Sequence, residues 1–350
     1  MKKIKLIGIL SMITVLSACN TKTKKEEATT VKTPISSVEQ ETTDAIKKVW
    51  IDADLAVGMK RINRPGYSDV DDGYAVLQLL KAKNVAIKGM STVFGNSSLE
   101  NAFAIGKYIS AEFAANKIAV YQGAESAINL DSVVTNDAVE AMAAALQKEP
   151  LIILAIGPAT NVGLLLLKYP ELKSQIKEVV LVAGRRTPTD YFKIGNKGRH
   201  AKDLNFDLDN NAFRILFENE VPVVLCPFEI SSKVWVGQED LNELKTASPA
   251  TKWLAEASEP WLAQWLDQGA TGFNPFDVLA SHYIIAPEDI VKESLNARLE
   301  LHTDDTVKEN DKQVFKQYLL CDKEKGSPVT YCYDVVPGYH QKLIASLKVK

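Results

Sequence analysis

From residue 47 onward, short apolar runs alternate with amphipathic segments of helical period. No other feature restricts the fold of this chain as much. Strand-like runs are read at 48–51, 85–93, 118–120, 151–156, 178–183 and 223–226. Between them the pattern turns helical near 71–83, 99–115, 136–148, 159–168 and 207–218. Alternation of this kind predicts a parallel sheet with helices on both faces. The runs are continuously apolar, as expected of strands covered on both sides. The expected fold is α/β: a single domain with a mostly parallel, Rossmann-like sheet flanked by helices. After Cys226 a longer helical region carries Trp235, Trp253, Trp261 and Trp265. A helix over 278–285, a strand over 291–302, a hairpin carrying Cys321 and Cys332, and a terminal helix over 338–346 follow.

Residues 50–74, WIDADLAVGMKRINRPGYSDVDDGY, hold Asp52, Asp54, Asp69, Asp71 and Asp72. The first two end a strand-like run and the last two open a helix. Carboxylates gathered at a strand end and facing a helix start repel one another unless a cation sits between them. Hard oxygens beside a helix N-terminus suggest a divalent-metal site. In open α/β sheets, ligands bind beyond the carboxyl ends of the strands, where these aspartates lie.

The 350 residues carry a formal charge of −3, which lacks the basic excess of a nucleic-acid binder. The N-terminus, MKKIKLIGILSMITVLSAC, reads as a signal peptide over residues 1–18. Its end resembles a bacterial lipobox, with Cys19 as the lipidated residue; cleavage near Ala18 with plain secretion is the alternative. Residues 19–46 are polar and read as a flexible tether, leaving 47–350 as the folded domain. An exported chain, lipid-anchored to the bacterial cell membrane, is the expectation. Such a chain can keep a disulfide, and Cys321 with Cys332 is the candidate pair. Cys226 reads as a buried small hydrophobe.

Further polar segments fall at strand ends: FGN at 94–96, GPATN at 157–161, DLNFD at 203–207 and Asp277 at a helix start. Together with Asp52/Asp54 and Asp71/Asp72, this ordered set resembles the nucleoside hydrolase family of the inosine–uridine-preferring type. Its opening motif, Asp-x-Asp-Pro-Gly-x-Asp-Asp, is matched in two halves. Taken singly, Asp71 and Asp72 are ordinary first-turn acids and Asn96 and Asn161 ordinary loop residues. The specificity lies in the order of the set.

The resemblance implies hydrolysis of an N-glycosidic bond with a bound Ca²⁺. Its ligands would be Asp54, Asp72, Asp277 and the backbone carbonyl of Thr160. Asp54 would act as general base with Asp52 behind it, and Asp71, Asn96, Asn205 and Asp203 would hold the ribose hydroxyls. A homo-oligomer is common in the family. Trp261 and Trp265 would line the base pocket, although core packing is the commoner role for tryptophan.

Three departures stand out. Residues 55–70 are inserted between the motif's halves and carry Lys60, Arg61 and Arg64, which suits either a lid or anion site or a solvated basic loop. Asp203 replaces the usual Glu. Phe276 replaces the His that protonates the leaving base, and His200 and Tyr191 are the nearby candidates for that proton, while His282 is expected to face away. Two other readings stay open: a nucleoside- or ribose-binding surface lipoprotein, and a haloacid dehalogenase-like phosphatase built on Asp52-Ala-Asp54.

Overall fold

The computed structural model describes residues 46–62, 65–195, 197, 199–307 and 314–349. The signal peptide, Cys19, nearly all of the tether and Arg64 lie outside the described residues. Eleven strands are defined among the described residues: β1 (Lys47–Ala53), β2 (Val85–Thr92), β3 (Val120–Gln122), β4 (Leu151–Ala155), β5 (Ile176–Leu181), β6 (Lys193–Ile194), β7 (Arg199–His200), β8 (Val223–Leu225), β9 (Ile290–Thr303), β10 (Phe315–Asp322) and β11 (Ser327–Val335). Nine form one sheet in the order β10-β9-β11-β8-β5-β4-β1-β2-β3, and β6 pairs only with β7. Every neighbouring pair from β11 to β3 is parallel, and β9 runs antiparallel to both β10 and β11.

From β1 the chain winds outward to β2 and β3, then returns to β4 on the other flank of β1 and continues to β5 and β8. The winding direction therefore reverses between β1 and β4, which are in register at Asp52 and Ala155. That reversal opens a crevice beyond the carboxyl ends of these two strands.

The helices are α1 (Asp71–Lys81), α2 (Leu99–Glu112), α3 (Asp137–Leu146), α4 (Thr160–Lys168), α5 (Leu204–Leu208), α6 (Asn210–Glu218), α7 (Phe228–Ser231), α8 (Gln238–Ala247), α9 (Pro249–Asp267), α10 (Val278–Ile285) and α11 (Tyr339–Lys348). Alternate side chains of β1 divide the core. Val49, Ile51 and Ala53 pack with Leu77, Leu254, Leu279 and Leu343, from α1, α9, α10 and α11. Trp50 packs on the other face with Met142, Leu165 and Phe213, from α3, α4 and α6. Both faces of β1 are thus dry, which is why its sequence reads as an unbroken apolar run.

Two expectations need correction. The segment at 207–218 breaks at Asp209, whose carboxylate accepts the Ala212 N–H at 3.1 Å and caps α6 as a new helix. The Cys321/Cys332 segment is not a hairpin. β10 and β11 flank β9 on opposite sides, Cys321 facing Ala297 and Cys332 facing Lys292 across the ladders. The chain steps over β9 at Gly326, where a Cβ would lie 2.4 Å from the Ala297 carbonyl oxygen. Cys321 and Cys332 are both free and buried, and they belong to the two opposite core layers. The strand between them excludes the bridge. Cys332 instead meets the thiol of Cys226, which is buried as expected.

Candidate active site

β1 is anchored on both flanks where it ends. Val93 N–H donates to Ala53 O at 3.1 Å and Ile156 N–H donates to Asp52 O at 2.9 Å. Asp54 follows at once, fully buried, and its Oδ2 accepts the Asn96 main-chain N–H at 2.7 Å. Gly95 permits this contact, since a Cβ there would fall 1.8 Å from Asp54 Oδ2.

Asp52 is locked beneath it. Its Oδ1 accepts Ser91 Oγ at 2.6 Å and Asn161 Nδ2 at 2.8 Å, while Trp50 Nε1 donates to Ser91 Oγ at 2.8 Å. Asn161 Oδ1 in turn accepts the Ala124 N–H at 2.9 Å. Burial pushes the Asp52 carboxyl up to about 6, against the pull of the Ser91 and Asn161 hydrogen bonds.

The described residues of the insert, 55–62 and 65–70, leave the sheet and come back to it. Gly58 N–H donates to Asp69 O, and Ser68 N–H to Met59 O, each at 2.8 Å, and Lys60 bridges Tyr67. Closing this neck returns the chain to the crevice, where α1 begins at Asp71. Asp69, Asp71 and Asp72 each present a carboxylate oxygen within 4.8 Å of the other two. Asp277 reaches the same place from the start of α10. Sequence reasoning gave Asp69 no role; it completes the tightest carboxylate group.

Electrostatics ties these acids into one cluster. Burial raises Asp54 well above the ordinary carboxylate range, and the Asp69 charge adds to it. Asp72 is raised by burial and then by Asp54 and Asp71; Asp277 by burial and then by Asp71, Asp72 and Asp54. Asp71 is raised by burial and by Asp69. Asp54 Oδ1, Asp71 Oδ1 and both Asp72 carboxylate oxygens are buried without a hydrogen-bond donor. Several buried carboxylates with uncommitted hard oxygens fit a divalent cation, which would relieve both the repulsion and the desolvation.

Thr160 opens α4 beside the crevice, and its Oγ1 donates to Asp209 Oδ2 at 2.7 Å. Asp209, which the sequence did not single out, thus fixes Thr160 while capping α6. A cavity of about 1290 Å³ opens over the cluster, lined by Asp69, Asp71, Asp277, Asn96, Asp203 and Asn205. Asn205 Nδ2 donates to the carbonyls of Ile156 (3.1 Å) and Val182 (3.2 Å) at the ends of β4 and β5, which leaves its Oδ1 for a ligand hydroxyl. Asp203 Oδ2 accepts the Gly184 N–H at 2.8 Å, and burial pushes this carboxyl up to about 6 despite the Arg185 charge.

The far wall is aromatic. Phe192, Phe228, Phe276, Trp261 and Trp265 all line the cavity. Phe192 stacks on Phe228 with centroids 3.6 Å apart, and Phe276 lies 6.1 Å from Trp265. His200 lines the cavity with Nδ1 2.9 Å from the Asp305 carbonyl, and Tyr191 stacks on it at 4.2 Å. His282 is buried on α10 and faces Gln78 and Asp289, away from the cavity.

A carboxylate cluster at the switch point of a parallel sheet, under an aromatic cavity, is the arrangement of a metal-using α/β enzyme. A sequence model described as inosine-uridine preferring nucleoside hydrolase matches residues 49–336, and the chain belongs to that family of ribonucleoside N-glycosidases. Among its relatives, the pyrimidine-specific ribonucleoside hydrolase RihA of Citrobacter koseri is 26% identical over 252 residues, covering 64% of this chain and 78% of that one. The solved plant nucleoside hydrolase PpNRh1 superposes with a TM-score of 0.67 at 17% identity, covering 87% of this chain and 98% of its own. The purine-preferring ribonucleoside hydrolase of Gardnerella vaginalis gives a TM-score of 0.67 at 19% identity, over 86% and 98%. The haloacid dehalogenase-like reading falls with this assignment, as does a role limited to binding.

Proposed function

We propose that this enzyme cleaves the N-glycosidic bond of a ribonucleoside with Ca²⁺ held by Asp54, Asp72, Asp277 and the Thr160 carbonyl, and with Asp54 as general base. The observation that carries the reading is the set of buried, donor-less carboxylate oxygens of Asp54, Asp71 and Asp72 beneath a cavity of nucleoside size or larger. When bound, the ion would polarise a water and make its proton easier to remove. Asp54, its Oδ2 held by the Asn96 main-chain N–H, would take that proton as general base. Asp52, held by Ser91 and Asn161, keeps Asp54 in place from behind. Asp71, Asn96, Asp203 and Asn205 hold the ribose hydroxyls, and the negative charge of the carboxylates among them favours the cationic sugar that develops as the bond breaks. The aromatic wall receives the base. Phe276 offers it no proton, so departure is assisted by stacking on the aromatic wall and by His200, which lines the cavity. The N-terminal pattern supports an exported enzyme, lipid-anchored at Cys19.

A reducing-sugar assay across purine and pyrimidine nucleosides tests this, with and without chelator. Wild type should release sugar only with the cation present, and Asp54→Asn should lose about 10²- to 10⁴-fold in turnover. Activity that survives both treatments would refute the cation and base assignments.

A further inference from the structure

The cavity is charged in two opposite senses. Its floor is the acid cluster, while its rim carries Arg61, Lys197 and Lys202. Two short hairpin-like segments bring the first two of these cations to the cavity, and both dock on the last turns of α9. The insert docks through Tyr67 N–H to Gln264 Oε1 at 2.9 Å. The β6–β7 turn docks through Lys197 Nζ to the Asp267 carbonyl at 2.6 Å. Arg61 donates through Nε to the Tyr67 carbonyl at 2.9 Å, which steadies the guanidinium and leaves its two outer nitrogens for a ligand.

Among the described residues, none of these three cations forms an ion pair. Three other basic residues do: Arg185 with Asp305 at 3.1 Å, Arg186 with Glu229 at 2.8 Å, and Lys316 with Asp207 at 2.8 Å. The acid that Lys202 attracts, Asp207, is thus already held by Lys316. Asp267 also lines the rim and offsets part of the Lys197 charge, so Arg61 and Lys202 are the stronger pair. A neutral nucleoside requires no cation at this rim, because its sugar is met by the floor and its base by the aromatic wall. The volume of about 1290 Å³ also exceeds the usual range of ligand pockets, roughly 300–1,000 Å³.

We infer that the substrate of this site carries an anionic group, with a nucleoside monophosphate as its simplest form, received by Arg61 and Lys202 with Lys197 beside them. This inference rests on the hydrolase reading of the same site. Water adds across the C1′–N bond, its hydroxyl going to C1′ and a proton to the base nitrogen, and the phosphate stays on the sugar. Arg suits the task because its fork meets two phosphate oxygens at once.

The test compares a nucleoside with its 5′-monophosphate, by kcat/KM and by calorimetric binding to the intact enzyme with Ca²⁺. The monophosphate should be favoured about tenfold or more, as expected for one charged hydrogen bond. The preference should shrink in 0.5 M salt, because rim charges are screened, and Arg61→Gln/Lys202→Gln should bring the ratio near one. Inorganic phosphate should compete with the monophosphate at millimolar concentration. Equal or poorer use of the monophosphate by wild type overturns the inference, as does a preference that survives the double substitution. If neither compound is cleaved, the hydrolase reading fails. Calorimetry then decides the anion separately: tighter binding of the monophosphate sustains it, and equal or weaker binding removes it.

Discussion

Gln78 on α1 donates through Nε2 to Nδ1 of His282 on α10 at 2.9 Å, both side chains buried. The amide orientation follows from Ser281 Oγ, which donates to Gln78 Oε1 at 2.6 Å. His282 Nδ1 is therefore the acceptor, and its Nε2 carries the hydrogen that meets Asp289 Oδ2 at 3.1 Å. Lys342 on α11 completes the chain by pairing with Asp289. The two helices clamped in this way are those that present Asp71/Asp72 and Asp277 to the crevice.

That clamp predicts a positioning effect on cation binding. Gln78→Leu removes three side-chain hydrogen bonds, to His282, Ser281 and Ser346, which should cost about 1–3 kcal/mol of stability. Residues behind metal ligands commonly change affinity 10- to 100-fold, so Ca²⁺ affinity should weaken by about tenfold or more. Calorimetric titration with Ca²⁺ measures this, and Gln78→Glu should recover less than wild type because it trades the Nε2 donor for an acceptor. Unchanged affinity in a destabilised variant would leave Gln78 a packing residue only.

Cation dependence of stability should grow with pH. The sign follows from the raised carboxyls of Asp54, Asp71, Asp72 and Asp277. Below the unfolded-state value, about 3.8, both states are protonated and the cluster carries no penalty. Above it the unfolded chain sheds protons that the folded chain retains, so stability falls as pH rises. Thermal melts in chelator should lose Tm steadily from pH 5 to pH 8. Excess Ca²⁺ should remove the loss, so that the gap between the curves is largest at pH 8. Parallel curves across this range would argue against a cation in the cluster.

The parallel half of this fold was legible because the strands at its centre, β4 and β8 throughout and β1 from Val49, are buried and so appear as largely apolar runs. The C-terminal part was not. Whether Cys321 meets Cys332 depends on β9, a strand placed between their strands only by long-range pairing; a local turn signal at Gly326-Ser-Pro328 cannot report it. The acids Asp52, Asp54, Asp71, Asp72 and Asp277 were recognisable by motif. Asn161 and Asp209 were not recognisable as supports, because Asn161 reaches back 109 positions to Asp52 and Asp209 reaches 49 to Thr160. The insert's basic residues resolve individually: Arg61 lines the cavity, whereas Lys60 is exposed and outside its lining.

Gly95→Ala should disable the site without unfolding the domain. The added Cβ would collide with Asp54 Oδ2 at 1.8 Å and break its 2.7 Å bond from the Asn96 N–H. The loop can yield only by displacing that carboxylate, since β1 is anchored on both flanks. Turnover and Ca²⁺ affinity should each fall by about 10- to 100-fold, while the far-ultraviolet circular dichroism stays native. Wild-type kinetics in this variant would show that Asp54 need not sit where it does.

The aromatic wall makes a separate prediction about the leaving group. Phe276 stands next to Asp277, within 6.1 Å of Trp265 and 5.8 Å of Phe192 by ring centroid, and has no proton to give. A nitrophenyl riboside leaves without protonation, whereas a nucleobase departs far more easily when a proton reaches its nitrogen. Wild type should therefore favour the nitrophenyl riboside over nucleosides. Phe276→His places an imidazole at that position and should raise kcat on nucleosides by about tenfold or more, within the usual reach of a positioned acid. The nitrophenyl riboside should gain little, and the nucleoside gain should decline as pH rises past the imidazole pKa. A uniform gain or loss on both substrates would mean that the substitution changed packing and not proton supply.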